Sequence, residues 1–260
     1  MKKMITLLLA VLMLCTCLVA CDSAKYESDL AYIQEQGKLI VGITDYAPMD
    51  YKDENGEWTG FDAELSRLFA EELGVECEFF VLADWGKKFY ELETKNIDVI
   101  WNGMTITDEV KLNTSCSDPY VVNAQVLVMK ADVVGNYPDA DALAGLSFAV
   151  ENGSAGQAAL DALGIKEYVA LQDQAAALME VAAGTSDACV IDITMAYAMT
   201  GEGTSHADLA IGFSLTSEEY GVGFRKNSDV TAKFNEFMDK LLADGTLDAL
   251  AEKYSLTLVK

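Results

Sequence analysis

The sequence has little of what most small-molecule catalysis draws on. It contains a single His, His206, in the loop-like stretch "GEGTSHADL". No Ser/His or Cys/His pairing stands near a Gly turn, and no His, Cys, Asp and Glu residues follow metal-ligand spacing. Catalysis by a nucleophile pair or a metal is therefore not expected, and acid–base work by carboxylates alone has no supporting motif. Basic residues are also scarce, with 18 Lys and Arg against 42 Asp and Glu, a net charge of −24. Such a surface repels phosphates, which excludes nucleic acid as a partner. Only 3 Pro and 19 Gly occur in 260 residues, and no fixed-period repeat or low-complexity tract is found. That excludes collagen-like and largely disordered chains. With 51% apolar residues, enough remains for a substantial core.

Cysteine is present in number but not in pattern. Cys15 and Cys17 fall inside "MKKMITLLLAVLMLCTCLVAC", which has two Lys followed by an apolar run, Met4–Ala20. Those are the charge, length and flanks of a secretory signal. Its last four residues, Leu-Val-Ala-Cys, resemble the lipobox of bacterial lipoproteins. The resemblance implies cleavage before Cys21 and lipid modification of that residue, anchoring the chain to a membrane without spanning it. The division expected is a signal at 1–20 and a polar tether at 21–37. Cys77, Cys116 and Cys189 remain, an odd and widely spaced set read as free thiols. No second apolar stretch is long enough to cross a bilayer.

The rest alternates strand and helix patterns. "KLIVGI" reads as a buried strand, and Asn55-Gly56 as the turn of a hairpin. Asp62 is expected to cap a helix whose apolar face is Leu65, Leu68, Phe69 and Leu73, stopped by Gly74. A strand "VECEFFVL", a helix capped by Asp84 and a strand "IDVIWNG" follow. This β-α-β-α-β order implies a parallel sheet covered by helices. A second unit begins at "LSFAVENGSAGQAALDALG" and ends in the strand "DACVID". Two extended segments, "NAQVLVMKADV" and "EYGVGFRKNSD", flank it and suggest a two-strand hinge. Lobe 1 is expected at 38–124, lobe 2 with the hinge strands at 125–221, and a return to lobe 1 at 222–260. Ligands of such sheets lie beyond the carboxyl ends of the strands, here in the cleft between lobes.

"LIVGITDYAPMDYKDENGEWTGFDAELSRLFAEELG", "DVIWNGMTITDE" and "SDPY" resemble the solute-binding proteins of ABC importers for polar amino acids. The resemblance spans about Lys38 to Tyr254. It implies the type II periplasmic-binding-protein fold, an α/β architecture of two lobes, each a mixed, mostly parallel sheet flanked by helices. It also implies an extracytoplasmic monomer that needs no cofactor and hands a free amino acid to a membrane permease. A zwitterion leaving water needs acceptors for its ammonium, donors for its carboxylate and a fitted slot. The family positions for the ammonium match Gly103, Thr105 and Asp192, with Met104 inside the same run. Asp192 also reads as a plain helix cap. Tyr46 and Trp85 match the aromatic walls, although periodicity alone makes Trp85 a core residue. Asp45 lies beside that wall, and Glu151 matches a position that tunes side-chain preference. Either carboxylate also reads as a solvated loop charge. The start of a helix at Ser154, Ala155 and Gly156 matches the carboxylate site, where free N–H groups and the dipole favour an anion.

One part is missing. The family reads Thr-x-Thr-x-Glu-Arg where this chain reads Thr105-Ile106-Thr107-Asp108-Glu109-Val110. Lys111 is turned away by about 100° of helix. A charged hydrogen bond contributes about 1.5–3 kcal/mol, so its loss demands an answer. The helix start suffices alone, or Lys130 or Arg225 supplies the charge, or the ligand is an amine without an α-carboxylate.

Overall fold

A computed structural model describes residues 27–260. The expected signal and Cys21 lie outside the described residues. The first element, α1 (Asp29–Gln36), is capped by the Ser28 side chain, which accepts from the Ala31 amide, and ends at Gly37 in the left-handed conformation. It corrects the expected tether, which reaches only to its start. Ile33 is fully buried, and Asp29 takes hydrogen bonds from Arg225 at 2.7 Å and Ser228 at 2.7 Å. An amphipathic segment this short is marginal alone and helical through docking.

Lobe 1 continues with β1 (Lys38–Ile43), the hairpin of β2 (Tyr51–Lys52) and β3 (Trp58–Thr59), α2 (Phe61–Leu73) and β4 (Glu76–Val81). After a 3-10 turn at Trp85–Lys87 come α3 (Lys88–Glu93), β5 (Val99–Thr105), α4 (Asp108–Asn113), β6 (Ser115–Cys116) and β7 (Val121–Asn123). Lobe 2 holds β8 (Gln125–Lys130), β9 (Phe148–Glu151), α5 (Ala155–Ala162), β10 (Tyr168–Leu171), α6 (Gln174–Ala183), β11 (Ala188–Asp192), α7 (Ile193–Met199) and β12 (Leu209–Ser214). The chain returns through β13 (Glu218–Phe224), α8 (Val230–Ala243) and α9 (Thr246–Lys253).

The strand order is β4-β1-β5-β13-β6 in lobe 1, with β7 paired to β13, and β10-β9-β11-β8-β12 in lobe 2. β1 runs parallel to β4 and β5, and β9 parallel to β10 and β11, while β13 and β8 run antiparallel to their neighbours. Buried on both faces, β5 and β11 carry near-continuous apolar runs, and the edge strand β4 alternates. This is the expected α/β architecture. The core of lobe 1 centres on Phe69, Trp101 and Phe234, with Phe234 at 5.3 Å from Phe69 and 4.9 Å from Trp101 between ring centres.

The crossovers fall at Ala124 and at Leu215–Ser217. The Leu215 amide donates to the Gln125 carbonyl at 2.8 Å, and the Gln125 amide to the Thr216 hydroxyl at 2.8 Å, so the two hinge segments hold each other. The return therefore precedes the expected boundary at 222, because all of β13 pairs within lobe 1. An apolar extended run does not reveal which sheet it joins.

Asp62 is a third correction. It does not cap α2, which starts behind Gly60. Its carboxylate turns inward, fully buried, and accepts from the Gly103 amide at 2.6 Å and the Tyr120 hydroxyl at 2.8 and 2.9 Å. Burial pushes it up to about 7, against those donors. Nearby Asp50 is fully buried, and neither of its oxygens has a hydrogen-bond partner among the described residues. Burial first, then the Asp62 charge, raise it well above the carboxylate range.

These groups hold protons in the folded chain that they release when it unfolds above about pH 4. The native state then binds more protons, so their contribution to stability falls as pH rises from about 4 through 7. Asp50→Asn removes one share of that penalty. Its melting temperature should exceed that of the parent at pH 8, by about 2–4 °C per kcal/mol relieved, and the gap should close near pH 4. A gap of the same size at both pH values, read by thermal melts, would contradict a protonated Asp50.

Candidate functional site

The lobes enclose a cavity of about 240 Å³. Lobe 1 lines it with Trp85, Gly103, Met104 and Thr105, and lobe 2 with Glu151, Ser154, Ala155 and Asp192. Eight of the ten expected ligand positions thus meet in one place, at the carboxyl ends of β5, β9 and β11. A larger opening of about 550 Å³ behind the hinge has no charged lining residue. Its polar lining is hydroxyls and one side-chain amide, with no charge to pair with either end of a zwitterion.

Asp45 and Tyr46 are not brought to the cavity wall. Asp45 is exposed, with its carboxyl raised by partial desolvation and by the Asp173 charge. Tyr46 is buried beneath Gly103, its hydroxyl hydrogen-bonded to Thr194 at 2.6 Å and to Tyr220. Gly103 has φ +57°, and a Cβ there would lie 2.6 Å from the Tyr46 ring. The Tyr46 ring and Asp62 together hold this turn of chain from either side. The ring acts from below the site rather than as its wall.

Asp192 does not cap α7 with its side chain. Its carboxylate accepts from the side-chain amides of Asn123, Gln174 and, at 2.8 Å, Gln125. Asn123 and Gln125 also donate to Glu218, at 2.7 and 2.6 Å. The Thr105 hydroxyl donates to the same Glu218 oxygen at 2.8 Å, which leaves its lone pairs to accept. Two carboxylates are thus bridged by two amides, one from each side of the hinge. Burial first, then the Glu218 charge, raise Asp192 to about 7. Glu151, 3% exposed, is pushed well above the carboxylate range by burial and then by Asp192. Sequence reasoning did not find this network, because amide side chains carry no periodic signal.

At the opposite charge, α5 presents its first turn. The Ser154 side chain accepts from the Gln157 amide at 3.1 Å, while the amides of Ala155 and Gly156 have no acceptor within the helix. Val110 is 3% exposed and packs into an apolar cluster with Trp85 and Met104. Trp85, 6% exposed, is therefore both core and wall. Lys130 pairs with Asp208 and donates to the Ala182 carbonyl at 2.7 Å. Arg225 pairs with Asp29 and Asp98 at 2.7 and 2.9 Å. Neither lines the cavity.

The cation that does is Lys88, 4% exposed. Its ammonium donates to the Gly153 carbonyl across the cleft at 3.0 Å and to the Trp85 carbonyl at 3.4 Å. It lies 4.8 Å from the Trp85 ring centre and 4.7 Å from that of Phe89. Burial lowers it to about 8, opposed by the charges of Glu151, Glu109 and Asp84. The available signal was spacing: Lys88 follows Trp85 by three, which puts both on one helical face.

Residues 39–257 match the family model of bacterial extracellular solute-binding proteins, family 3. The chain belongs to this family. It is 30% identical over 246 residues to an L-cystine-binding protein of Escherichia coli, covering 91% of each chain. A mutant of ArgBP from T. maritima superposes with a TM-score of 0.81 at 33% identity, covering 87% of this chain and 98% of that one. An amino acid ABC transporter substrate-binding protein from Streptococcus pneumoniae bound to L-arginine gives 0.79 at 27% identity, covering 90% of this chain and 100% of that one.

The lobes of this family member meet closely. Asn152 donates to Asp84 across the cleft at 2.9 Å, and a Cβ on Gly153 would lie 2.6 Å from the Gly86 Cα. Gly153→Ala should hold the lobes apart. Gly164→Ala is the control, since Gly164 has a similar φ of +77° but open space around it. Both pay about 1–2 kcal/mol of backbone strain. Small-angle scattering should show a larger radius of gyration for Gly153→Ala only. Equal radii for the two variants would show that this contact does not govern closure.

Proposed function

We propose that this chain captures a polar or basic amino acid between its lobes, outside the cytoplasm, and delivers it to an ABC importer. The observation that carries this is the pairing of charges in one interlobe cavity. Asp192, the Gly103 carbonyl and the Thr105 hydroxyl can receive an ammonium, and the start of α5 at Ser154 and Ala155 can receive a carboxylate. Glu151 then faces the remainder of the ligand and favours a polar or cationic one. Relatives named for L-cystine and bound to L-arginine support the class. Contacts made by both lobes favour the closed state, so capture and closure are one equilibrium. A permease senses the closed form. The Leu-Val-Ala-Cys sequence supports an acyl anchor on Cys21, which keeps the protein beside its permease.

Val110 favours one second reading, an amine receptor of the same fold that needs no carboxylate site. Isothermal titration of refolded, ligand-free protein with common L-amino acids, L-cystine and their decarboxylated amines decides between them. Binding of an amino acid but not its amine supports the first reading, and preference for the amine overturns it.

Ammonium binding favours ionised Asp192, whose carboxyl sits at about 7. A folded pKa above the ordinary value means that protons must leave for the ligand to bind. Amino-acid affinity should therefore rise with pH from about 5.5 to 7.5. Asp192→Asn should cost about 10- to 100-fold in Kd and flatten that rise. A pH-independent Kd in the parent chain would remove Asp192 from the ammonium site. Metabolic labelling with palmitate should tag the full chain and not Cys21→Ser, and equal labelling would refute the anchor.

A further inference from the structure

We infer that Lys88 reads the ligand's α-carboxylate, in place of the Arg that this chain lacks at Val110. The inference rests on the amino-acid reading above. Among the residues lining the cavity, Lys88 is the one Lys or Arg, beside the acids Asp108, Glu109, Glu151 and Asp192. A carboxylate entering this cavity meets no other cationic side chain.

Placement supports the role as well as charge. The Gly153 carbonyl that Lys88 reaches belongs to the residue just before the cap of α5. The ammonium thus stands beside the helix end whose free amides attract an anion. Two of its three N–H donors are committed, to Gly153 and Trp85, and the third is left for a ligand. Trp85 and Phe89 hold the aliphatic stem and the cation, which limits its rotamers. The groups facing it are Glu151 from β9, Glu109 from α4 and Asp84 before the 3-10 turn. None of the three has Lys88 as a close salt-bridge partner, so the charge is not already consumed by a pair.

Val110 fits the same arrangement. An Arg there would set a second cation beside Lys88, in the apolar cluster that Val110 completes with Trp85 and Met104. Val at 110 removes that repulsion.

The test titrates parent, Lys88→Met and Lys88→Arg with the pairs L-arginine and agmatine, L-histidine and histamine, and L-cystine and cystamine. Met keeps the buried stem without the charge. The parent should bind at least one amino acid well ahead of its amine. Lys88→Met should weaken that amino acid by about 10- to 100-fold and leave amine binding undiminished, while Lys88→Arg keeps the preference. A purely structural role would weaken acid and amine alike, which overturns the inference. So would a Lys88→Met protein that still prefers the acid by the parent's margin, since α5 would then suffice. A parent that prefers amines overturns the amino-acid reading first and this inference with it. Should Lys88→Met fail to fold, the Lys88→Gln and Val110→Arg double variant keeps the question open to measurement. Recovered acid preference supports the exchange of cations, and no recovery refutes it.

Discussion

The hydrogen bond from the Gly103 amide to the buried carboxylate of Asp62 fixes the floor of the site. It joins the start of α2 to the end of β5, at a point where the backbone takes a positive φ. The bonded amide points inward, and the following residues, Met104 and Thr105, reach the cavity. Tyr46 closes the same turn from beneath, and its hydroxyl extends the contact to Thr194 of lobe 2 and to Tyr220 on β13. A buried carboxylate is costly unless it is hydrogen-bonded. Asp62 is, to one amide and one phenol, and the cost is met where the site must be rigid.

Much of this was legible in the sequence. The alternation of strand and helix, Asn55-Gly56, and the run from Asn102 to Thr105 each carry a local physical signal. Those signals located the sheets, while the eight cavity positions came from the resemblance to the family. What stayed hidden depends on partners far apart in sequence. Asp62 reads as a cap because a helix-start Asp usually is one, and only Gly103, 41 residues away, turns it inward. Residues 29–36 read as tether because their local signals, Ser28 and Gly37, are short-range, and the docking partner Arg225 lies 196 residues on. Asn123, Gln125 and Gln174 have neither period nor charge, yet they hold Asp192 in place.

The electrostatics of the cavity are built to hold charges apart until a ligand arrives. Asp192 and Glu218 repel, and the amides of Asn123 and Gln125 bind both, so neither swings out to water. Asp192 near 7 is poised to ionise beside an ammonium at modest cost. Burial and then the Asp192 charge raise Glu151 as well, and the Lys88 charge opposes that rise. The large negative charge of the whole chain matters less here. It is exposed and screened over about 10 Å at ordinary salt, whereas these groups are not.

Relocating the cation also changes what closure does. An Arg on α4 would project from lobe 1 whether or not the lobes had met. Lys88 also belongs to lobe 1, yet its ammonium finds the Gly153 carbonyl on lobe 2, beside the helix end that attracts an anion. In an open cleft that acceptor is gone, which leaves the ammonium the Trp85 carbonyl of its own lobe. Closing therefore desolvates it further and sets it beside the start of α5 in the same step. Desolvation strengthens its pull on a carboxylate, and without an anion it is a penalty. A ligand carrying an α-carboxylate removes that penalty, so an empty cleft is biased open. On this account Val110 is no gap in the site. It clears the apolar floor so that a cation dependent on closure can do the reading.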